Sequence, residues 1–342
     1  MISPRRLLRA SLFGLALLAM LLLAGCELPA VLRPASPQAQ AISDLIVLLL
    51  GISVVVFVVV EGLLIVTIIR FREKGAKRET TTVDERAEIL WIVLPAITLA
   101  VLFFVSVAIL RFLTTQDATW RGLSSSSSNQ VLNVRIVGHQ WWWEIEYPDL
   151  EIVTANEMHI PVGVLANLSV ESADVIHSFW IPELGGKVDA VPGQTNNLIF
   201  SPNTADTYRG QCSEFCGEEH AMMLMRAVAE PKADFDAWVK QQQAPPATMT
   251  GEAARGENIF MSGACVGCHA IYGTDAKGTF APDLTHFASR AAFAGDVFPN
   301  TPDNVTKWLT DPQKLKHGNN MPNLNLTPDQ VHALAAYLAD LK

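Results

Sequence analysis

The stretch CSEFCGEEHAMM, Cys212 to Met223, puts two thiols, an imidazole and two thioethers within twelve residues. Cys216 follows Cys212 by four positions, His220 follows by four more, and Met223 by three. Three readings compete. A disulfide between Cys212 and Cys216 closes a small loop and leaves His220 and Met223 without a purpose. Zinc accepts thiolates and imidazoles, but it has no use for a thioether and the usual knuckle spacing is missing. Copper sites combine thiolate and imidazole with a weak axial Met or backbone oxygen, yet a mononuclear site of that kind needs one Cys and this loop has two. Two thiolates four residues apart can bridge two copper ions if each ion finds its own His. His220 is one. The candidate for the second is His177, in ESADVIHSFWIPELGGKVDAVPGQ (171–194), where a strand-like run precedes it and aromatics follow. A lone His in an apolar run is ordinarily a core residue, and the downstream cluster is what raises His177 above that.

Outward from the loop, composition sets the class. Of 342 residues 50% are apolar and 17% charged, with a mean hydropathy of +0.25. That is too apolar for a wholly soluble chain. A net charge of −9 offers no basic footprint for nucleic acid. Two apolar runs, Leu45 to Ile69 and Ile89 to Leu110, are each long enough to cross a hydrocarbon core of roughly 30 Å. The segment between them carries Arg70, Arg72, Lys74, Lys77, Arg78 and Arg86, against Arg33, Arg111 and Arg121 on the outer flanks. The bias toward positive charge inside predicts a hairpin with a cytoplasmic loop and both termini outside. Glu61 lies within the first span, where a carboxylate is costly and should face protein or be protonated. The opening residues 1–25, basic and then apolar, read as an export signal. The ending LAGC resembles a lipoprotein cleavage box, which implies a lipid on Cys26; an uncleaved anchor with an incidental Cys is the competing reading.

The remainder divides by texture. A Ser-rich tether (116–130, with GLSSSSSNQ at 122–130) leads to alternating apolar segments over 131–240, whose spacing predicts a β-sandwich or barrel. A Gln/Pro/Ala linker covers 241–250, and 251–342 reads mainly as helices, the last capped by Thr327 with Pro328 at its first position. CVGCH, Cys265 to His269, is a C-x-x-C-H run, the signature of covalent c-type haem: Cys265 and Cys268 take the vinyl groups and His269 the iron. A thioredoxin-like pair is disfavoured by the trailing His and the lack of a βαβ pattern. The sixth ligand should be a Met, which raises the potential. Met321, in HGNNMPNL, is the candidate; Met261 is too close to the motif, and His286, His317 or His332 would make the alternative bis-His haem.

DVIHSFWIPELGGKVDAVPG, CSEFCGEEHAMM, VGHQWWWEIEYP and LWIVLPAI together resemble subunit II of the haem–copper cytochrome c oxidases, over residues 42 to 240. The resemblance implies a multidomain membrane protein: residues 26–41 outside the membrane, a transmembrane hairpin over 42–115, a cupredoxin-like β domain over 131–240, and a fused all-α class I cytochrome c domain over 251–342. It implies a binuclear CuA centre bridged by Cys212 and Cys216, with His177 and His220 as terminal ligands. Met223 and the backbone carbonyl of Glu214 would be axial, and Met222 and Met225 packing residues. The Glu214 side chain would face a magnesium ion shared with subunit I. Trp141 would stand where electrons enter, although the triple Trp leaves the register open by one, and Glu88 where a proton channel into subunit I opens. APDLTHF is similar to the segment that follows the haem motif in these cytochromes, with Pro282 near the proximal His.

The function implied is electron delivery from cytochrome c or another donor, through haem c and CuA, to haem a of subunit I, within a complex that also holds subunit III. Oxygen reduction coupled to proton translocation would belong to the complex. A CuA-bearing nitric-oxide reductase is the rival within enzymes, and a lipoprotein copper carrier or redox sensor the rival outside them. Charge fits a docking role. Residues 131–240 hold sixteen Asp/Glu against six Lys/Arg, while 251–342 hold nine against seven. An acidic copper domain would steer a basic donor or the tethered haem domain toward itself.

Overall fold

The computed structural model describes residues 30–71, 84–124 and 131–342. The export signal, Cys26, the basic residues Arg72, Lys74, Lys77 and Arg78, and residues 125–130 of the tether lie outside them.

Two long helices come first. Ser36 caps α1 (Pro37–Arg70): its hydroxyl accepts the Ala39 N–H at 3.0 Å and donates to the Leu184 carbonyl at 2.6 Å. Pro37 sits in the first turn, where its missing N–H costs nothing. The cap therefore starts the helix eight residues before the apolar run. It also ties the helix to the β domain, since Ala35 N–H donates to Glu183 O and Arg33 pairs with the Glu183 carboxylate at 3.1 Å. Helix α2 (Glu85–Ser124) runs through 116–124, residues whose polarity reads as tether but whose backbone is helical. Along both helices large apolar side chains face outward; Phe57 and Phe104 are 64% and 69% exposed. Such a surface needs lipid or another chain to cover it.

Residues 131–230 fold into two five-stranded sheets. One has the order β3-β2-β1-β5-β8, with β1 Val131–His139, β2 Trp142–Tyr147, β3 Ile152–Ala155, β5 Leu165–Ser172 and β8 Asn196–Phe200. The other runs β4-β10-β9-β6-β7, with β4 Glu157–Pro161, β6 His177–Trp180, β7 Val188–Ala190, β9 Asp206–Cys212 and β10 Leu224–Glu230. Strand β10, with alternate residues buried, shows the one-face-in pattern that the alternating sequence demands. Trp143, Tyr147, Phe179, Met158 and Leu168 are wholly buried between the sheets. Helix α3 (Lys232–Gln242) closes the domain, with Trp238 stacked on His159 at a centroid distance of 4.4 Å.

The last domain is helical. Helix α4 (Gly251–Ser262) crosses the final helix α7 (Pro328–Asp340), with α5 (Pro302–Thr310) and a single turn, α6 (Pro312–Leu315), between them. Thr327 and Gln330 form a reciprocal capping box on α7. Its core joins Phe260, Phe287, Phe293, Leu334 and Tyr337. The two soluble domains meet along a polar seam. Arg226 pairs with Asp296 at 2.6 Å, the Glu157 carboxylate accepts the Ala291 N–H at 2.9 Å, and Leu224 N–H donates to Gly295 O at 3.0 Å.

Candidate metal centre

Strand order makes the sulfur site. Cys212 ends β9 and pairs with Phe179 on β6, so His177, at the start of β6, lies beside it. The loop from Ser213 returns through a 3₁₀ turn (His220–Met222) to β10, and its base is closed where Cys212 N–H donates to Met223 O at 3.0 Å. Every donor named from the sequence converges there. The Cys212 and Cys216 sulfurs are 3.8 Å apart and form no disulfide. His177 Nδ1 is 4.0 Å from the Cys212 sulfur, and His220 Nδ1 is 3.5 Å from that of Cys216. Met223 Sδ is 3.8 Å from the Cys216 sulfur, and the Glu214 carbonyl is 3.3 Å from that of Cys212. His177, Cys212 and Cys216 are buried, their ligand atoms all within 4.8 Å of one another.

The donor chemistry fits a pair of soft cations. Cys212 is brought down to about 3, chiefly by the hydrogen bond from the Cys216 thiol, while Cys216 is pushed up because it would ionise beside that thiolate. Two thiolates this close coexist when cations lie between them. At metal–thiolate distances of roughly 2.3 Å, one ion reaches both sulfurs. Two imidazoles on opposite sulfurs then offer one nitrogen to each of two ions.

An outer layer orients these donors. The Asp174 carboxylate is 2.7 Å from His177 Nε2, which leaves Nδ1 turned to the sulfurs. Burial opposes the His177 charge, but Asp174 and Cys212 outweigh it and raise the imidazole. Gly138 makes room for the ring: a Cβ there would lie 2.8 Å from the imidazole. The three Trp residues separate by role. Trp143 is wholly buried and packs edge-on against His177; Trp142 stacks on His139 at 4.2 Å. Trp141, just before β2, sends its indole N–H to the Cys216 carbonyl at 3.1 Å, and the Gln140 side-chain amide donates to the same oxygen at 2.7 Å.

The second site is a largely apolar cavity lined by Cys265, Cys268, His269 and Met321. His269 Nδ1 lies 2.7 Å from the Pro282 carbonyl, which fixes the tautomer and leaves Nε2 bare. Burial lowers this imidazole, which favours its neutral form. Met321 Sδ accepts the Trp308 indole N–H at 3.1 Å. The residues present fit a covalent haem. Met261, His286, His317 and His332 do not line the cavity. Gln140, Trp141 and Trp142 do. The wall between the two sites is thus built from both domains.

Glu88, in the first turn of α2, is exposed and Glu61 partly buried on α1; neither is brought to the sulfur or haem site. Asp174, Gln140, Gly138 and Lys316 were missed in the sequence. For Asp174 a signal existed, a carboxylate three residues before a ligand His. The others depend on contacts across tens of residues.

Family comparisons agree with this anatomy. The profile described as cytochrome c oxidase subunit II, transmembrane domain, matches residues 30–109; its periplasmic domain matches 151–229; and cytochrome c matches 253–342. Cytochrome c oxidase subunit 2 of Alkalihalophilus pseudofirmus is 33% identical over 331 residues, 94% of each chain. That of Bacillus sp. (strain PS3) is 36% identical over 351 residues, 97% of this chain and 96% of the relative. Among solved structures, the periplasmic domain of subunit II of the Bradyrhizobium japonicum cytochrome oxidase is 33% identical. It covers 33% of this chain and 93% of that one, with a TM-score of 0.32.

Proposed function

The chain belongs to the subunit II family of cytochrome c oxidases, and from that premise we propose how its residues share the delivery of electrons to a haem–copper oxidase. Cys212 and Cys216 would hold a binuclear copper centre through their thiolates, with His177, His220, Met223 and the Glu214 carbonyl as its further ligands. The convergence of four further donors about two sulfurs 3.8 Å apart carries this reading. Cys265 and Cys268 would hold haem c by thioether bonds, and His269 and Met321 would bind its iron. When bound, the two groups supply one-electron carriers, and no substrate bond is made or broken in this chain. The protein supplies fixed geometry, which keeps reorganisation small: immobile donors on a β-scaffold and a shared wall between the cavities. Trp141 is where electrons enter the copper site, a role supported by its contact with the Cys216 carbonyl and its place in the haem cavity wall.

The chain is anchored by two membrane helices, with its metal domains on the periplasmic side. Subunits I and III cover the outward apolar faces of those helices. The Glu214 carboxylate, on an exposed loop beside Phe215 (76% exposed), faces a magnesium ion shared with subunit I. Glu88 marks the mouth of a proton channel into subunit I. Cytochrome c or a similar carrier donates to the haem domain, and Cys26 carries a lipid. Optical and EPR spectra of the purified full-length chain test the assignment of ligands. Low-spin haem c and a mixed-valence, seven-line copper signal are expected, and Cys216→Ser should lose the copper signal while keeping the haem. A variant that retained the seven-line signal would overturn the assignment.

A further inference from the structure

Lys316 is 3% exposed and sits on the seam between the copper and haem domains. Its ammonium donates to Met222 O at 2.8 Å and Ala294 O at 3.1 Å, and reaches Trp141 O at 3.4 Å. These carbonyls come from three separate segments: the end of the copper loop, the Trp segment, and the haem domain itself. We propose that Lys316 is a positioning residue, whose buried ammonium clasps the wall between the two cofactor sites and so fixes the separation that electrons cross. The inference rests on the copper and haem assignments above.

The chemistry singles this residue out. An ammonium has three N–H donors, and here each meets a carbonyl. Removing such a charge from water is costly unless its donors are satisfied. Burial pushes Lys316 down to about 8, opposed by the partly compensating charge of Glu219, so the charged form prevails at neutral pH. Among the described residues no carboxylate is hydrogen-bonded to it, and its three acceptors are backbone carbonyls. Gly295 explains how the backbones come so near, with φ of +77° and a position where a Cβ would lie 2.5 Å from Met222 O and 3.0 Å from Lys316 Nζ.

Placement gives the clasp its consequence. Met222 adjoins Met223, and the indole of Trp141 touches the Cys216 carbonyl, so two of the three carbonyls belong to segments that flank the copper loop. At the other end, Lys316 begins the short loop that carries Met321 into the haem cavity. Asn320, on the same loop, donates to Gln140 O at 2.7 Å. One loop therefore holds the wall at its start and offers the axial sulfur five residues later. The neighbouring Glu218–His317 pair is by contrast largely exposed. The two groups, held by the residues named above, would exchange a single electron, a transfer that calls for no proton or bond exchange by the surrounding side chains. Besides holding geometry, a buried charge here would tune the potentials of the two groups, and viscosity dependence and amide exchange report the geometric part.

The test uses the full-length chain loaded with both metals, as wild type, Lys316→Met and the milder Asn320→Ala. Haem-to-copper electron transfer after flash reduction should slow at least about tenfold in Lys316→Met, since displacements near 1 Å cost up to roughly a hundredfold in positioned reactions. The slowed rate should also become dependent on solvent viscosity, as re-docking becomes limiting, whereas the wild-type rate should not. Amide exchange at Leu224 and Ala291, the donors that cross the seam, should rise about tenfold while copper content and both spectra stay unchanged. Asn320→Ala should move the same readouts in the same direction by less. Rates and exchange within twofold of wild type in both variants, with metals in place, would overturn the proposal. Absence of copper from the wild-type chain would instead count against the ligand assignment.

Discussion

The copper loop and the haem cavity are built on opposite plans. The copper donors come from one hairpin loop and the adjoining strand, braced by a β-sandwich, and they converge within about 4 Å of the sulfurs. The haem residues come from two loops 52 residues apart, Cys268–His269 and Met321, and part of their enclosure is borrowed from the copper domain. A site backed by its own sheet should tolerate change at the seam. A site that shares its wall should not, and the difference can be probed residue by residue.

The largest effect is expected at the haem. Met321→Leu would remove the proposed iron-binding sulfur, so the covalent haem should remain but shift from a low-spin to a high-spin optical spectrum. The copper EPR signal should be unaltered, because the hydrogen bonds of Met321 run to Trp308, Gln313 and Asn319 and to none of the copper donors. Next comes the outer layer of the copper site. Asp174→Asn loses the carboxylate that orients His177 and should weaken copper binding about 10–100-fold, measured by competition with a chelator. Smaller again is Gly138→Ala. Its methyl would press on the His177 ring from 2.8 Å, and overpacking of this kind costs about 1–3 kcal/mol, readable by denaturant melting of the loaded chain.

The smallest effect lies in the acid–base cluster behind the seam. His159 is 2.9 Å from Glu230 and 3.3 Å from Glu157, whose other oxygen accepts the Ala291 N–H from the haem domain. Burial works against the His159 charge, but the two carboxylates outweigh it and the imidazole is raised. Burial works against the Glu157 charge too, and there the hydrogen bonds from His159 and Ala291 prevail and lower it. A raised histidine contributes stability that is fully present below its unfolded value, about 6.5, and is lost as pH rises through the folded one. The depressed Glu157 contributes above its unfolded value and is lost as pH falls through the folded one. The stability gap between wild type and His159→Gln should therefore be widest below about pH 6.5 and close as pH rises through the raised folded value. A gap that widened with pH would reverse the sign of this coupling.

What could be read in advance follows the same division. CSEFCGEEHAMM and CVGCH are local, so spacing alone restricts their chemistry, and the apolar runs declare two helices by length. His177 needed the pairing of β6 with β9 before its distance to Cys212 meant anything. Three identical residues cannot be told apart by type in the sequence; strand pairing gives them different surroundings, burying Trp142 and Trp143 on β2 and leaving Trp141 in the preceding turn. The helix through 116–124 was hidden by polar composition, which says little about backbone. Lys316 was invisible for a different reason. Its partners Trp141, Met222 and Ala294 are 175, 94 and 22 residues away, and a lysine in a loop reads as solvent-exposed until the two domains are brought together.

The most direct test of the account is a metal count on the purified full-length chain. Two coppers and one iron per chain are expected, with the copper lost and the iron kept in Cys216→Ser. Iron accompanied by no more than trace copper would contradict it.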